Sequence, residues 1–142
     1  MPTRSAHTSW TGGLQDGSGE VSLTSSKAGS FEVSFPRRAA EDAGGVTSPE
    51  ELIAAAHSSC YAMQLSAVLA EAGGMPRSLE VGAEVRLDPD PAGGFRITGI
   101  RLTVDGRVDG IDEAAFTAAA EKARDTCPVS KALTGTTITL ET

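Results

Sequence analysis

Cysteine is scarce in this sequence: its 142 residues include two, Cys60 and Cys127. Small secreted domains held by disulfides carry more cysteines in shorter chains, so a disulfide scaffold is excluded. Any pairing of these two is expected to be transient and chemical, in a reducing cytoplasm. Histidine is equally scarce, with only His7 and His57, and no CxxC or HxxxH spacing occurs. A structural zinc site lacks the ligands to close, and no metal or other cofactor is expected. Lys and Arg total 12 against 19 Asp and Glu, a net charge of −7. Such a field repels phosphate backbones and anionic lipid, which argues against nucleic acid and membrane partners. The opening MPTRSAHTSWTGG has no apolar h-region, and no later stretch approaches roughly 18 uninterrupted apolar residues. A cytoplasmic protein is expected. The length and apolar share suffice for one core, so residues 1–142 read as a single domain.

What is present reads as an α+β chain in the order βββαββαβ. HTSWTGGL, GEVSLTS and SFEVSF are three short strands separated by Gly, Asp and Ser clusters. In the third, Phe31, Val33 and Phe35 alternate with polar residues, as in a half-buried strand. A loop, RRAAEDAGGVT, follows. Ser48, Pro49 and Glu51 then form a helix start, with Ser48 as N-cap, Pro49 in the first turn and Glu51 completing a capping box. The helix is expected to run to about Ala72 and end at Gly73 and Gly74. It has apolar or small residues nearly all round and no Lys or Arg from Ser48 to Glu71. It is therefore expected to be a long central helix buried on most sides. LEVGAEVRL and FRITGIRLTV form a strand pair around the turn DPDPAGG. Phe95 and Ile97 are out of phase with Ile100, Leu102 and Val104, which predicts a bulge near Gly99. Asp112 caps a second helix, Pro128 stops it, and TTITLET is the last strand.

Cys60 lies mid-helix on a stripe with Leu52, Ala56, Met63 and Ala67, a spacing that normally means core. A buried cysteine is usually an inert small hydrophobe. Cys127 differs, because it sits at a helix junction before proline, where packing does not demand sulfur and backbone N–H groups can stabilise a thiolate. Spacing alone says nothing about contact between the two. His57, one turn before Cys60, has the position of a base, but a lone helix histidine is more often packed. Trp10 and Tyr61 read as core or pocket wall.

The segments TSPEELIAAAHSSCYAM, TCPVSKAL and FPRR together make the chain resemble the OsmC/Ohr family of hydroperoxide reductases, specifically its OsmC branch. The resemblance runs over nearly the whole chain. It implies an OsmC-like fold assembled as an intertwined two-fold homodimer. It also implies a peroxidase that reduces organic hydroperoxides, and hydrogen peroxide as well, with an external dithiol as reductant. The family's peroxidatic cysteine falls on Cys60 and its resolving cysteine on Cys127. The glutamate of its PEE motif falls on Glu50. Its activating arginine falls on Arg37 or Arg38. The aromatic-x-x-Arg spacing from Phe35 favours Arg38, although the physics alone leaves the two open. The Ohr branch carries its arginine in an early N-terminal loop, and this chain has none between Arg4 and Arg37.

Charge arithmetic makes that reading more specific. A free cysteine titrates near ~8.5, and burial raises the value. Reaching about 6 takes roughly 3.4 kcal/mol at ~1.4 per unit. A helix dipole supplies at most about 1 to 2 kcal/mol, and only within the first turn. One arginine at about 4 Å with an effective dielectric near 20 supplies on the order of 4 kcal/mol. Glu50 must then hold the guanidinium on the side away from sulfur, as a bidentate Arg38–Glu50 pair would. If Glu50 and Cys60 share one helix they stand ten residues, about 15 Å, apart, so they cannot share a site within one chain. Antiparallel packing against a two-fold mate, crossing near Ala54, Ala55 and Ala56, would bring Glu50 of one chain level with Cys60 of the other. Two other classes remain open at this level: a redox-sensing or ligand-binding module without turnover, and a cysteine hydrolase using His57 as base.

Overall fold

The computed structural model describes residues 1–142, which divide into two compact units, 1–52 and 53–142. In the first unit, β1 (His7–Thr11), β2 (Ser18–Ser22) and β3 (Ser30–Val33) form an antiparallel sheet in sequential order, with Thr11 opposite Ser18 and Ser22 opposite Ser30. The β1–β2 turn is close-packed at Gly17, where a Cβ would lie 2.3 Å from the Gly13 carbonyl oxygen. Only glycine fits there.

β3 is shorter than its alternation suggests. Phe35 does not extend the strand but opens a helix, α1 (Phe35–Ala39), which Ser34 caps by accepting the Arg37 N–H. Pro36 lacks the N–H that a ladder needs and is tolerated in a first helical turn, so the FPRR segment coils rather than extends. Phe31 is exposed rather than half-buried.

α2 (Pro49–Glu71) starts as its caps dictate, with Glu51 N–H donating to Ser48 Oγ at 3.2 Å. The capping box is only half made, because the Glu51 carboxylate accepts the Thr47 hydroxyl instead of reaching back to Ser48. Its end is a Schellman motif: Gly73 turns left-handed at φ +85°, and the Gly74 N–H donates to the Leu69 carbonyl at 2.8 Å.

In the second unit, β4 (Met75–Pro89) and β5 (Phe95–Asp109) pair as a long antiparallel hairpin, and β6 (Thr137–Glu141) runs parallel to β5. Arg86 faces Gly99 while Leu87 faces Ile97, leaving Thr98 as the extra residue of the expected bulge. That residue switches β5 from the Phe95/Ile97 phase to the Ile100/Leu102/Val104 phase. Both strands outrun their apolar stretches, and the Arg77–Asp109 ion pair links the polar ends. α3 (Glu113–Thr126) begins at Asp112, whose side chain accepts the Ala115 N–H at 2.8 Å. α4 (Pro128–Ala132) is a short second helix after Cys127. With α1 and α4 the order is βββααββααβ rather than βββαββαβ. The core joins Tyr61, Leu65, Val68 and Leu69 of α2 to Leu102 and Val104 of β5 and to Ala119, Ala120 and Ala123 of α3.

The burial of α2 differs from the expectation. Within the chain only its Tyr61/Leu65/Leu69 face is covered, while Ala56, Met63 and Ala67 are exposed, Met63 at 72%. The stripe whose spacing suggests that Cys60 is core is the outer one. Apolar and small residues surround this helix, so periodicity does not say which stripe faces the sheet. By length and composition α2 is also apolar enough to cross a membrane, yet its inner face packs as that of a core helix.

Candidate functional site

Two of the expected site residues meet in the second unit. Cys60 reaches the junction of α3 and α4 from α2. At that junction Cys127 ends α3, its N–H donating to the Ala123 carbonyl at 2.9 Å, and caps α4. Pro128 forces the break by pushing Cys127 into an extended conformation, φ −59° and ψ 127°. Both thiols are free, and Cys127 Sγ donates to Cys60 Sγ at 3.1 Å. A disulfide bond is about 2.05 Å long, so closure takes an approach of roughly 1 Å with no unfolding. Cys127 is fully buried and Cys60 half-buried.

Burial pushes the Cys60 thiol above its ordinary range, and the Cys127 contact pushes the same way, while the Val129 backbone N–H pulls it down. These surroundings favour thiol over thiolate. Full activation therefore calls for a positive charge.

The other two expected residues meet in the first unit. Arg38, in the last turn of α1, grips Glu50 in the first turn of α2. Its Nε donates to both carboxylate oxygens at 3.0 and 3.1 Å, and its second guanidinium nitrogen donates to Oε1 at 2.6 Å. The hydrogen bond to Glu50 raises the Arg38 pKa further, so this group is a permanent cation. Arg37 points elsewhere, its guanidinium packing on Gly44, where an added Cβ would lie 2.7 Å from it. Arg38 also forms part of the wall of an apolar cavity of about 510 Å³, with Trp10, Leu14, Val21, Phe35 and Leu52. Of these, Trp10 is legible from sequence as core or pocket wall. The others come from the β1–β2 turn, β2 and the first turns of α1 and α2, and only the fold collects them.

Glu50 and Cys60 lie on the continuous helix α2, ten residues and about 15 Å apart along its axis. The four residues thus form two pairs, Cys60 with Cys127 and Arg38 with Glu50.

His57, which sequence reasoning leaves outside the catalytic set, is fully buried, and its Nε2 lies 2.7 Å from Ser130 Oγ. Its Nδ1 has no hydrogen-bond partner in the protein. A bare N–H costs more than a bare lone pair, which assigns the proton to Nε2 as donor to Ser130. Tyr61, also fully buried, donates its hydroxyl to the Ala120 carbonyl at 2.9 Å. Burial holds the His57 pKa below its ordinary 6.5. As pH falls through about 6.5 the unfolded chain takes up a proton that the folded chain refuses, so stability present above that pH is lost below it. By linkage the loss has a slope of at most ~1.4 kcal/mol per pH unit below that pH. Urea titrations should show this slope in the wild type and not in His57→Gln; equal slopes would refute it.

Residues 42–142 match the family model described as OsmC-like protein. Peroxiredoxin OsmC of Escherichia coli (strain K12) is 42% identical over 124 residues, 87% of this chain and 85% of that protein. The chain belongs to the OsmC-like family. An organic hydroperoxide resistance protein of Xanthomonas axonopodis pv. citri is 31% identical over 131 residues, 92% of this chain and 87% of that one. Among solved structures, an organic hydroperoxide resistance protein OsmC from Legionella pneumophila superposes with a TM-score of 0.78 at 26% identity, covering 99% of this chain and 96% of that one. The OsmC-like match takes in Glu50, Cys60 and Cys127, while Arg38 lies just before it.

Proposed function

We propose that this OsmC-family chain is a thiol-dependent peroxidase that reduces organic hydroperoxides, and hydrogen peroxide as well, through a Cys60–Cys127 disulfide cycle. The observation that carries the reading is the 3.1 Å approach of two free sulfurs, one half-buried and one enclosed. The half-exposed Cys60 meets peroxide and Cys127 waits behind it. Cys60 thiolate attacks one peroxide oxygen, the O–O bond breaks, and the departing alkoxide takes a proton to leave as the alcohol. Cys60 is then a sulfenic acid. Cys127 thiol displaces its hydroxyl, forming the S–S bond and releasing water. An external dithiol gives two electrons and two protons by exchange, restoring both thiols. Such a cycle belongs in a reducing cytoplasm.

The active unit is a homodimer in which the Arg38–Glu50 pair of one chain faces Cys60 of the other. Three features support this. Cys60 requires a cation, α2 separates Glu50 from Cys60 by about 15 Å, and α2 presents an outer stripe of Ala55, Ala56, Ser59, Met63 and Ala67 without a charge. The alanines permit close approach of two helices at their crossing. Arg38 then has two tasks, lowering the thiol pKa and stabilising charge on the leaving oxygen. The apolar cavity beside Arg38 takes the organic part of the hydroperoxide.

The direct test follows cumene hydroperoxide loss with dithiothreitol as reductant. Repeated turnover supports the peroxidase, whereas stoichiometric oxidation without recycling points to a sensor. The dimer has its own test in sedimentation at micromolar concentration. Wild type should run near twice the mass of the 14.5 kDa chain, and Ala55→Arg should run as a monomer with at least tenfold lower activity. A fully active wild-type monomer would overturn it.

A further inference from the structure

The contacts that α2 makes with the start of α4 form two rungs. His57 and Cys60 are three residues apart on α2, and Cys127 and Ser130 are three apart at the other end of the crossing. His57 meets Ser130 at 2.7 Å and Cys60 meets Cys127 at 3.1 Å, in antiparallel order. Both members of the polar rung are buried, and so is Cys127. A fully buried imidazole with one bare nitrogen is an expensive way to fill space in a helix. An apolar residue would pack there without that cost.

We propose that His57 is a positioning residue for disulfide closure: its hydrogen bond to Ser130 sets the register of α4 on α2 and so holds Cys127 against Cys60. This rests on the reading of the two cysteines as a redox pair. The rung acts on the sulfurs only through the backbone, and His57 needs no contact with peroxide. α4 has five residues; apart from the rung it is held by Val129, which packs against the core and whose N–H reaches Cys60, so His57–Ser130 is its one side-chain hydrogen bond to α2. With the rung in place, its freedom relative to α2 is already lost before the S–S bond forms, and closure costs little further entropy. Without it, Cys127 samples positions from which Cys60 is out of reach. Closure then slows, and the sulfenic acid on Cys60 stays open to a second peroxide, which would oxidise it to sulfinic acid with reduction of that peroxide to alcohol.

The decisive measurement equilibrates the 142-residue chain, in the assembly state it adopts, with glutathione buffers and reads the effective concentration of the Cys60–Cys127 dithiol. Ser130→Ala, which removes the acceptor with little change in volume, should lower it at least tenfold, and so should His57→Leu. His57→Gln, whose terminal amide can still donate to Ser130, should recover to within about threefold of wild type. Ser130→Ala within threefold of wild type overturns the proposal, and so does a His57→Gln value no better than His57→Leu. In parallel, dimedone trapping after one equivalent of cumene hydroperoxide should label Ser130→Ala at least five times more than wild type; equal labelling again overturns it. Peroxide does not enter the glutathione measurement. A wild type that forms the disulfide there but never turns over peroxide would sink the peroxidase reading alone.

Discussion

Peroxide turnover is expected to fall by about 10³-fold or more when Cys60 is replaced by serine. The substitution exchanges a polarisable sulfur nucleophile for a far less acidic and less nucleophilic hydroxyl, and a cycle built on one nucleophile has no second route. The other thiol cannot substitute. Cys127 is fully enclosed, whereas Cys60 is half-buried. Cys127→Ser should behave differently: the first equivalent of peroxide is consumed, and turnover then stops as Cys60 accumulates in sulfenic and higher oxidation states. Mass spectrometry after one and ten equivalents separates the two variants. Sustained dithiothreitol-dependent turnover by Cys60→Ser would end the assignment of Cys60 as the attacking residue.

Arg38→Ala should give the second-largest loss. Burial and the neighbouring sulfur push the Cys60 thiol up, and only the Val129 N–H pulls it down. A cation at about 4 Å in an effective dielectric near 20 contributes on the order of 4 kcal/mol, equivalent to about two to three pKa units. In the proposed dimer Arg38 faces Cys60 of the other chain, so removing it should raise the Cys60 pKa and cut the rate at neutral pH by about 10²-fold. Glu50→Gln should cost less, because the cation remains while its bidentate clamp is lost. Arg37→Ala should leave the thiol unaffected, since that guanidinium packs on Gly44 rather than on Glu50. The pH profile of iodoacetamide alkylation reads all three. An unchanged profile in Arg38→Ala would remove the arginine from the mechanism.

The α2 helix shows how much local sequence fixes. Ser48 and Pro49 mark its start and Gly73 and Gly74 its end, because caps are local chemistry and need no tertiary context. Its inner stripe is not legible in the same way. With Ala, Ser and Met on one side and Tyr, Leu and Val on the other, both sides look apolar, and the sheet takes the bulkier one. Alternation of Phe31, Val33 and Phe35 suggests a strand two residues longer than β3, but Ser34 and Pro36 outweigh it. The bulge at Thr98 is legible, since a strand that keeps its pairing can change phase only by taking in an extra residue.

The site divides the same way. The family motifs single out Cys60, Cys127, Glu50 and a choice of arginines, and helix arithmetic separates Glu50 from Cys60. Chain order places these residues in segments but says nothing of distance. Only the tertiary structure brings the sulfurs to 3.1 Å, selects Arg38 over Arg37 as the partner of Glu50, and sets a fully buried His57 within hydrogen-bond distance of a residue 73 positions away. Caps, turns and phases follow from interactions within a few residues. Contacts across the core depend on which stripe of a helix meets the sheet, and a helix apolar on every side leaves that choice to packing.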